Sequence, residues 1–288
     1  MKALVSGLFA ASLMATSTAW AQTPVTHNGL DADFYAADGD TAVLLLHGTL
    51  AHNRMEIIET ISTLVSEDYG YPVLAPNLSY QLPGREGMLD CGITHTHKDS
   101  DAKAEVAQWV QYLTDQGYSK IVVSAHSRGG AQLSAYLADN TPAEVTAAVL
   151  IAPATYDSTQ TAPSYATRFN ADLATLLSEA KSLSAETVMA VPGFVYCENA
   201  KVAAASFVDY YETREERDTV HNLKSVDIPV WVVAGSEDDV VADLPAKLEA
   251  EGALNDQVQL VMLEGADHFF RDLYADDVAL TIVDAVEM

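Results

Sequence analysis

The chain of 288 residues carries 41 acidic side chains against 15 lysines and arginines, a formal net charge of −26. Hydrophobic residues make up 49% and charged ones 19%, as in one large folded domain rather than a disordered chain. The acidity excludes a nucleic-acid partner, whose phosphates need clustered Lys and Arg, and disfavours docking on anionic lipid; its plainest meaning is solubility.

Lys2 precedes an apolar run holding Leu4, Val5, Leu8, Phe9 and Leu13, and Ala19-Trp20-Ala21 offers a small-residue cleavage site. The expectation is a secretory leader over 1–21 and a mature periplasmic or secreted protein from Gln22. The run is too short to span a bilayer, and no later stretch is long and apolar enough for stable membrane insertion. Two cysteines follow, Cys91 and Cys197. An even pair in an exported chain is expected to form one disulfide.

Along the mature chain, the first segment predicts an edge hairpin turning at Asn28-Gly29. The continuous apolar run 41–46 reads as a strand buried on both faces. A helix is expected after it, with Ile57, Ile58, Ile61 and Leu64 on one face. A short strand over 72–76 leads into a Gly- and Pro-containing loop from 77 to 101. Helical spacing returns over 102–116 through Val106, Trp109, Val110 and Leu113, and Gly117 makes a natural stop.

Ile121-Val122-Val123 reads as the next buried strand, and Ala131, Leu133, Ala135 and Leu137 as a helix behind it. Further strands are expected over 145–151, 228–234 and 258–263. Buried strands alternating with helices imply an α/β fold: a mostly parallel sheet covered on both faces. The alternation lapses over 153–224, where helices over 171–183 and 200–211, separated by Pro192-Gly193, predict an inserted helical cap within one domain over 22–288.

Ser127 stands at the break between the strand at Ile121-Val122-Val123 and its helix. A serine on a sharp strand-to-helix turn is exposed at a helix N-terminus, provided small residues flank it two places away on each side. Here these are Ala125 and Gly129, giving A-x-S-x-G where G-x-S-x-G is usual. Ligands of open parallel sheets lie beyond the carboxyl ends of the strands. There, Gly235-Ser236-Glu237-Asp238-Asp239 follows one strand and Glu264-Gly265-Ala266-Asp267-His268 another.

A serine hydroxyl becomes nucleophilic when an imidazole takes its proton and a carboxylate orients that imidazole. Of the eight histidines, His268 is best placed. His126 is expected to pack beneath the turn and His47 to brace the loops, while His27, His52 and His221 fall on the surface. Asp238 is favoured over Asp239 as the acid because it lies three residues past Gly235, where the loop can turn back; Asp267, adjacent to His268, is the weaker choice. Oxyanion donors are expected from the backbone N–H of Arg128 and of Thr49, with Leu50 as the alternative to Thr49.

Leu45-Leu46-His47-Gly48-Thr49, Ala125-His126-Ser127-Arg128-Gly129-Gly130, Gly235-Ser236-Glu237-Asp238 and Gly265-Ala266-Asp267-His268 together resemble the α/β-hydrolase superfamily over nearly all of the mature chain. The resemblance implies that fold, with Ser127 as nucleophile, Asp238 as acid, His268 as base, and Thr49 and Arg128 at the oxyanion hole. Cys91-Gly92-Ile93-Thr94-His95-Thr96-His97, read with His-Ser-Arg-Gly-Gly, is similar to a less characterised bacterial branch and implies no particular substrate.

His95, His97, Asp99 and Asp101 fit only part of a binuclear metallohydrolase pattern, so a solvated or pocket-rim loop is the better reading and no metal or cofactor is expected. The acidic run 212–218 reads as surface. The expected activity is hydrolysis of a small-molecule carboxylic ester through an acyl-enzyme, by a monomer, with the cap aromatics Tyr156, Tyr165, Phe169, Phe194, Tyr196 and Phe207 shaping an apolar pocket. A peptidase, amidase or acyltransferase with the same three residues is the nearest rival. A non-catalytic periplasmic binding protein on the same scaffold is the rival from another class.

Overall fold

A computed structural model describes residues 22–288, so the expected leader lies outside the described residues. The chain runs β1 (Gln22–His27), β2 (Leu30–Tyr35), β3 (Thr41–Leu46), α1 (Glu56–Thr63), β4 (Val73–Asn77), β5 (Thr94–His95), α2 (Asp101–Asp115), β6 (Lys120–His126), α3 (Arg128–Asp139) and β7 (Val145–Ile151). It continues through α4 (Ser158–Phe169), α5 (Leu173–Ser182), β8 (Val188–Phe194), β9 (Cys197–Ala203), α6 (Ala204–Tyr211) and α7 (Thr219–Leu223). Then come β10 (Val230–Gly235), α8 (Leu244–Ala250), β11 (Val258–Leu263) and α9 (Leu273–Val286).

The main sheet has eight strands in the order β1-β2-β4-β3-β6-β7-β10-β11. Strands β4, β3, β6, β7, β10 and β11 run parallel, and the β1–β2 hairpin joins antiparallel at one edge. Its turn is at Asn28 and Gly29, both at positive φ, the conformation whose twist suits a two-residue hairpin. Strand β3 is buried along its whole length and β6 is buried from Ile121 onward, because helices cover both faces. Helices α1 and α9 pack together, and α2, α3 and α7 form a second group. The parallel direction brings the loops after β3, β6, β10 and β11 to one rim.

The region between β7 and β10 departs from the all-helical expectation. Residues 188–203 form a hairpin, β8 and β9, which pairs with the short β5 in a second, three-stranded sheet. Only 204–211 of the helix expected over 200–211 is helical, and α4 stands where none was expected. Pro192 and Gly193, read as a break, lie inside β8. That strand is an edge, where a proline costs no ladder hydrogen bond, and a side chain at Gly193 would run into the Phe169 ring. A Cys91–Cys197 disulfide joins the loop before β5 to the start of β9.

Candidate active site

The turn after β6 is made by residue size. Ser127 has φ 55° and ψ −125°, a strained conformation held by its N–H donating to the Ile151 carbonyl (2.9 Å) and its carbonyl accepting from Gly130 (2.9 Å) and Ala154 (3.0 Å). A Cβ on Gly129 would meet the His47 carbonyl oxygen, so the loop after β3 passes this turn only because position 129 has no side chain. At Gly48 the same closeness brings that loop against Ser127 and His126. Ala125 is accommodated within the buried end of β6.

The rim brings Ser127, His268 and Asp238 together. His268 Nδ1 is 2.8 Å from Asp238 Oδ2, and its Nε2 is 3.0 Å from Ser127 Oγ. A carboxylate can only accept, so Nδ1 carries the proton and Nε2 is left to accept from the serine hydroxyl. Asp238 Oδ1 accepts from the N–H groups of Val240 (2.8 Å) and Val241 (3.0 Å), which pins the carboxylate. Asp239 is exposed, and Asp267 accepts from Phe269 and Arg271 instead. The acid loop and the histidine loop touch at Gly235, where a Cβ would strike the Ala266 carbonyl.

The loop after β3 separates Thr49 from Leu50. The Leu50 N–H donates to Tyr80 Oη at 3.0 Å and is occupied. Among the described residues the N–H groups of Thr49 and Arg128 have no acceptor, and both border the Ser127 turn. The Thr49 hydroxyl accepts from Arg128 Nε at 3.2 Å, tying the two segments together.

The neighbouring histidines are held neutral. His126 is buried under His268, donates from Nε2 to the His268 carbonyl at 2.9 Å, and is pushed down to about 4 by burial and by His268. His47 donates from Nδ1 to the Gly48 carbonyl (2.9 Å) and accepts from Leu78 N–H (3.0 Å); burial, then Arg85, lowers it to about 3. Both packing roles match the sequence reading.

The loop holding His95 and His97 is not solvated, because the two rings are fully buried between Tyr80, Phe194 and Tyr210. His97 Nδ1 is 2.9 Å from Tyr210 Oη, Asp99 faces Arg128 at 3.3 Å, and Asp101 accepts from Lys98 N–H. The run 212–218 is likewise not all surface. Asp218 is buried against Lys247 (2.8 Å), and Arg217 turns inward to lie over the Tyr156 ring at 4.7 Å.

The expected apolar pocket takes a different form. Phe194 and Phe207 are fully buried core. Tyr165, Phe169 and Tyr196 do line a cavity of about 220 Å³, but with Tyr210, Tyr211, Val195 and the guanidinium groups of Arg128, Arg168 and Arg217. Sequence reading did not single out Arg168 and Arg217, which line this cavity. Their scarcity in so acidic a chain was the available signal, and nothing local told that they converge.

The family model described as the alpha/beta hydrolase family matches residues 43–280. No curated protein sequence matches the chain. Among solved structures, the fold is similar to Est1E from Butyrivibrio proteoclasticus, with TM-score 0.61 and 14% identity over 93% of this chain and 99% of that one. It is also similar to the Pyrococcus furiosus esterase Pf2001 (TM-score 0.59, 17% identity, 93% of this chain and 90% of that one). A third similarity is to the Paleococcus ferrophilus monoacylglycerol lipase (TM-score 0.60, 15% identity, 89% of this chain and 99% of that one).

Proposed function

The chain belongs to the alpha/beta hydrolase family, and from that premise we propose that it is an exported carboxylic-ester hydrolase working through an acyl-enzyme on Ser127. The observation that carries this reading is the unbroken run of hydrogen bonds from Asp238 through His268 to the Ser127 hydroxyl. Ser127 Oγ attacks the acyl carbon while His268 Nε2 takes its proton, and Asp238 stabilises the imidazolium that results. The tetrahedral oxyanion is received by the N–H groups of Thr49 and Arg128, the pair left without acceptors next to the serine. His268 then returns its proton to the departing alcohol oxygen. Water activated by the same imidazole releases the acid and restores the serine.

The residues between β7 and β10 act as the cap that bounds the substrate. Export is supported by the leader-like sequence of 1–21 and by the Cys91–Cys197 bridge, a bond that persists in oxidising compartments.

The test is labelling with a fluorophosphonate probe together with turnover of short p-nitrophenyl esters by the protein from Gln22. Modification of Ser127, lost in Ser127→Ala along with turnover, is the expected result. A folded protein that shows no labelling and no turnover would refute the reading.

A further inference from the structure

Resting on the ester-hydrolase reading, we propose that the substrate bears an anionic oxygen group, bound by Arg128, Arg168 and Arg217 in the cavity that the side chain of Arg128, the residue after Ser127, helps to line. Carboxylate, sulfonate and phosphate share the chemistry that a guanidinium recognises.

The charge in this cavity runs against that of the chain as a whole, in which acids outnumber bases 41 to 15. Three guanidiniums converge there, and the acid facing two of them is a single carboxylate. Asp99 lies 3.3 Å from Arg128 and 3.9 Å from Arg217. Arg168 forms no ion pair among the described residues; its guanidinium stacks 4.3 Å above Tyr196 and 5.5 Å from Phe169. Arg217 has Nε and Nη1 buried without a hydrogen-bond partner, although it is covered by protein. Buried donors without acceptors leave the Arg217 charge poorly compensated, and since Arg217 also lines the cavity an anion there would offset it.

The other polar groups lining the cavity are largely committed elsewhere. Tyr165 Oη donates to the Gly193 carbonyl (2.7 Å), Tyr211 Oη accepts from Val195 N–H (2.8 Å), and Tyr210 Oη pairs with His97. Tyr165 and Tyr210 are moreover buried core, so the capacity this cavity offers a polar ligand lies with its guanidiniums. A volume of about 220 Å³ is below the roughly 300 Å³ at which whole-ligand clefts begin, so the cavity holds one end of a substrate. Arg128 joins that end to the reacting bond: its backbone follows Ser127 and its side chain lines the cavity.

Two matched ester pairs test this by kcat/KM: para-carboxyphenyl against para-carbamoylphenyl butyrate, and mono-p-nitrophenyl adipate against p-nitrophenyl hexanoate. Para-sulfophenyl butyrate tells carboxylate from other oxyanions. In at least one pair the anionic ester is expected to be preferred about tenfold or more. Arg168→Gln, on an exposed helix face, should cut that ratio about tenfold, Arg168→Glu should invert it, and Arg168→Lys should recover part of it; Arg217→Gln gives a second, independent reading. Equal rates in both pairs, with Ser127 still labelled and active, would overturn the proposal and leave ester hydrolysis intact. Should the ester reading itself fail, calorimetric titration of Ser127→Ala with benzoate and benzamide decides the cavity. Saturable benzoate binding lost in Arg168→Glu supports it, and no benzoate binding overturns it.

Discussion

The rim of the main sheet and the region between β7 and β10 handle polar side chains in opposite ways. At the rim the side chains of Ser127, His268 and Asp238 each have a fixed partner, and only the Thr49 and Arg128 N–H groups stand open. Asp238 accepts from three N–H groups, His268 uses both ring nitrogens, and two neutral histidines brace the loops. In the cavity lined by Arg128, Arg168 and Arg217, by contrast, two Arg217 nitrogens have no hydrogen-bond partner and Arg168 has no ion pair among the described residues. A site for bond-making needs its groups oriented before substrate arrives, whereas a site for recognition keeps its hydrogen-bonding capacity for the ligand. The two are joined through one residue, Arg128.

The sharpest break of this comparison is at the serine. Ser127→Ala and His268→Ala should each lower kcat by about 10⁴-fold or more, and Asp238→Asn by about 10³–10⁴, as expected when the three act as a unit. Steady-state kinetics with a short ester checks this. Asp239→Asn in the same assay should stay within a few-fold of wild type, and a loss matching that of Asp238→Asn would reassign the acid.

Next in size is the bridge that fastens the region between β7 and β10. Cys91 and Cys197 are 106 residues apart, and opening so long a loop should cost about 4 kcal/mol. Thermal melts of the Cys91→Ser, Cys197→Ser double variant should show that loss. Insensitivity of the wild-type melt to strong reductant would instead show that the bridge contributes little.

Acidification acts on both regions. His47 and His97 are lowered to about 3 and His126 to about 4, in each case chiefly by burial, so below pH 6.5 the unfolded chain takes up protons that the native one refuses. The stability they provide is complete above pH 6.5 and is lost as pH falls toward 4, at roughly 1 kcal/mol per pH unit for each. Glu105, raised by burial, opposes the trend in part. Urea denaturation at pH 7 and pH 5 measures the difference; His97→Phe should flatten the slope.

The smallest effect tests the cavity wall. Tyr165→Phe removes the hydroxyl that donates to the Gly193 carbonyl and should cost about 1 kcal/mol, read from a denaturation midpoint.

Much of the rim was legible because its signals are local. Apolar runs mark the buried strands, and small residues mark the turns where chain segments pass close. Polar residues straight after strands mark the groups that a parallel sheet delivers to one edge. Ser127, His268 and the order of the acid could be read this way, as could the hairpin at Asn28-Gly29.

What the sequence left open needed neighbours distant in the chain. Asp238 and Asp239 differ in which way the loop turns against Ala266, and Thr49 and Leu50 differ because Tyr80 occupies one of their N–H groups. The β8–β9 hairpin escaped notice because its alanines, Pro192 and Gly193 have low strand propensity; pairing with β5 and the bridge to Cys91 hold it extended. The three arginines come from α3, α4 and the turn before α7, so only docking of those segments made them one cavity. Local pattern fixes which residue types stand at strand ends, but charge convergence depends on how separate segments pack, and that is decided only in the folded state.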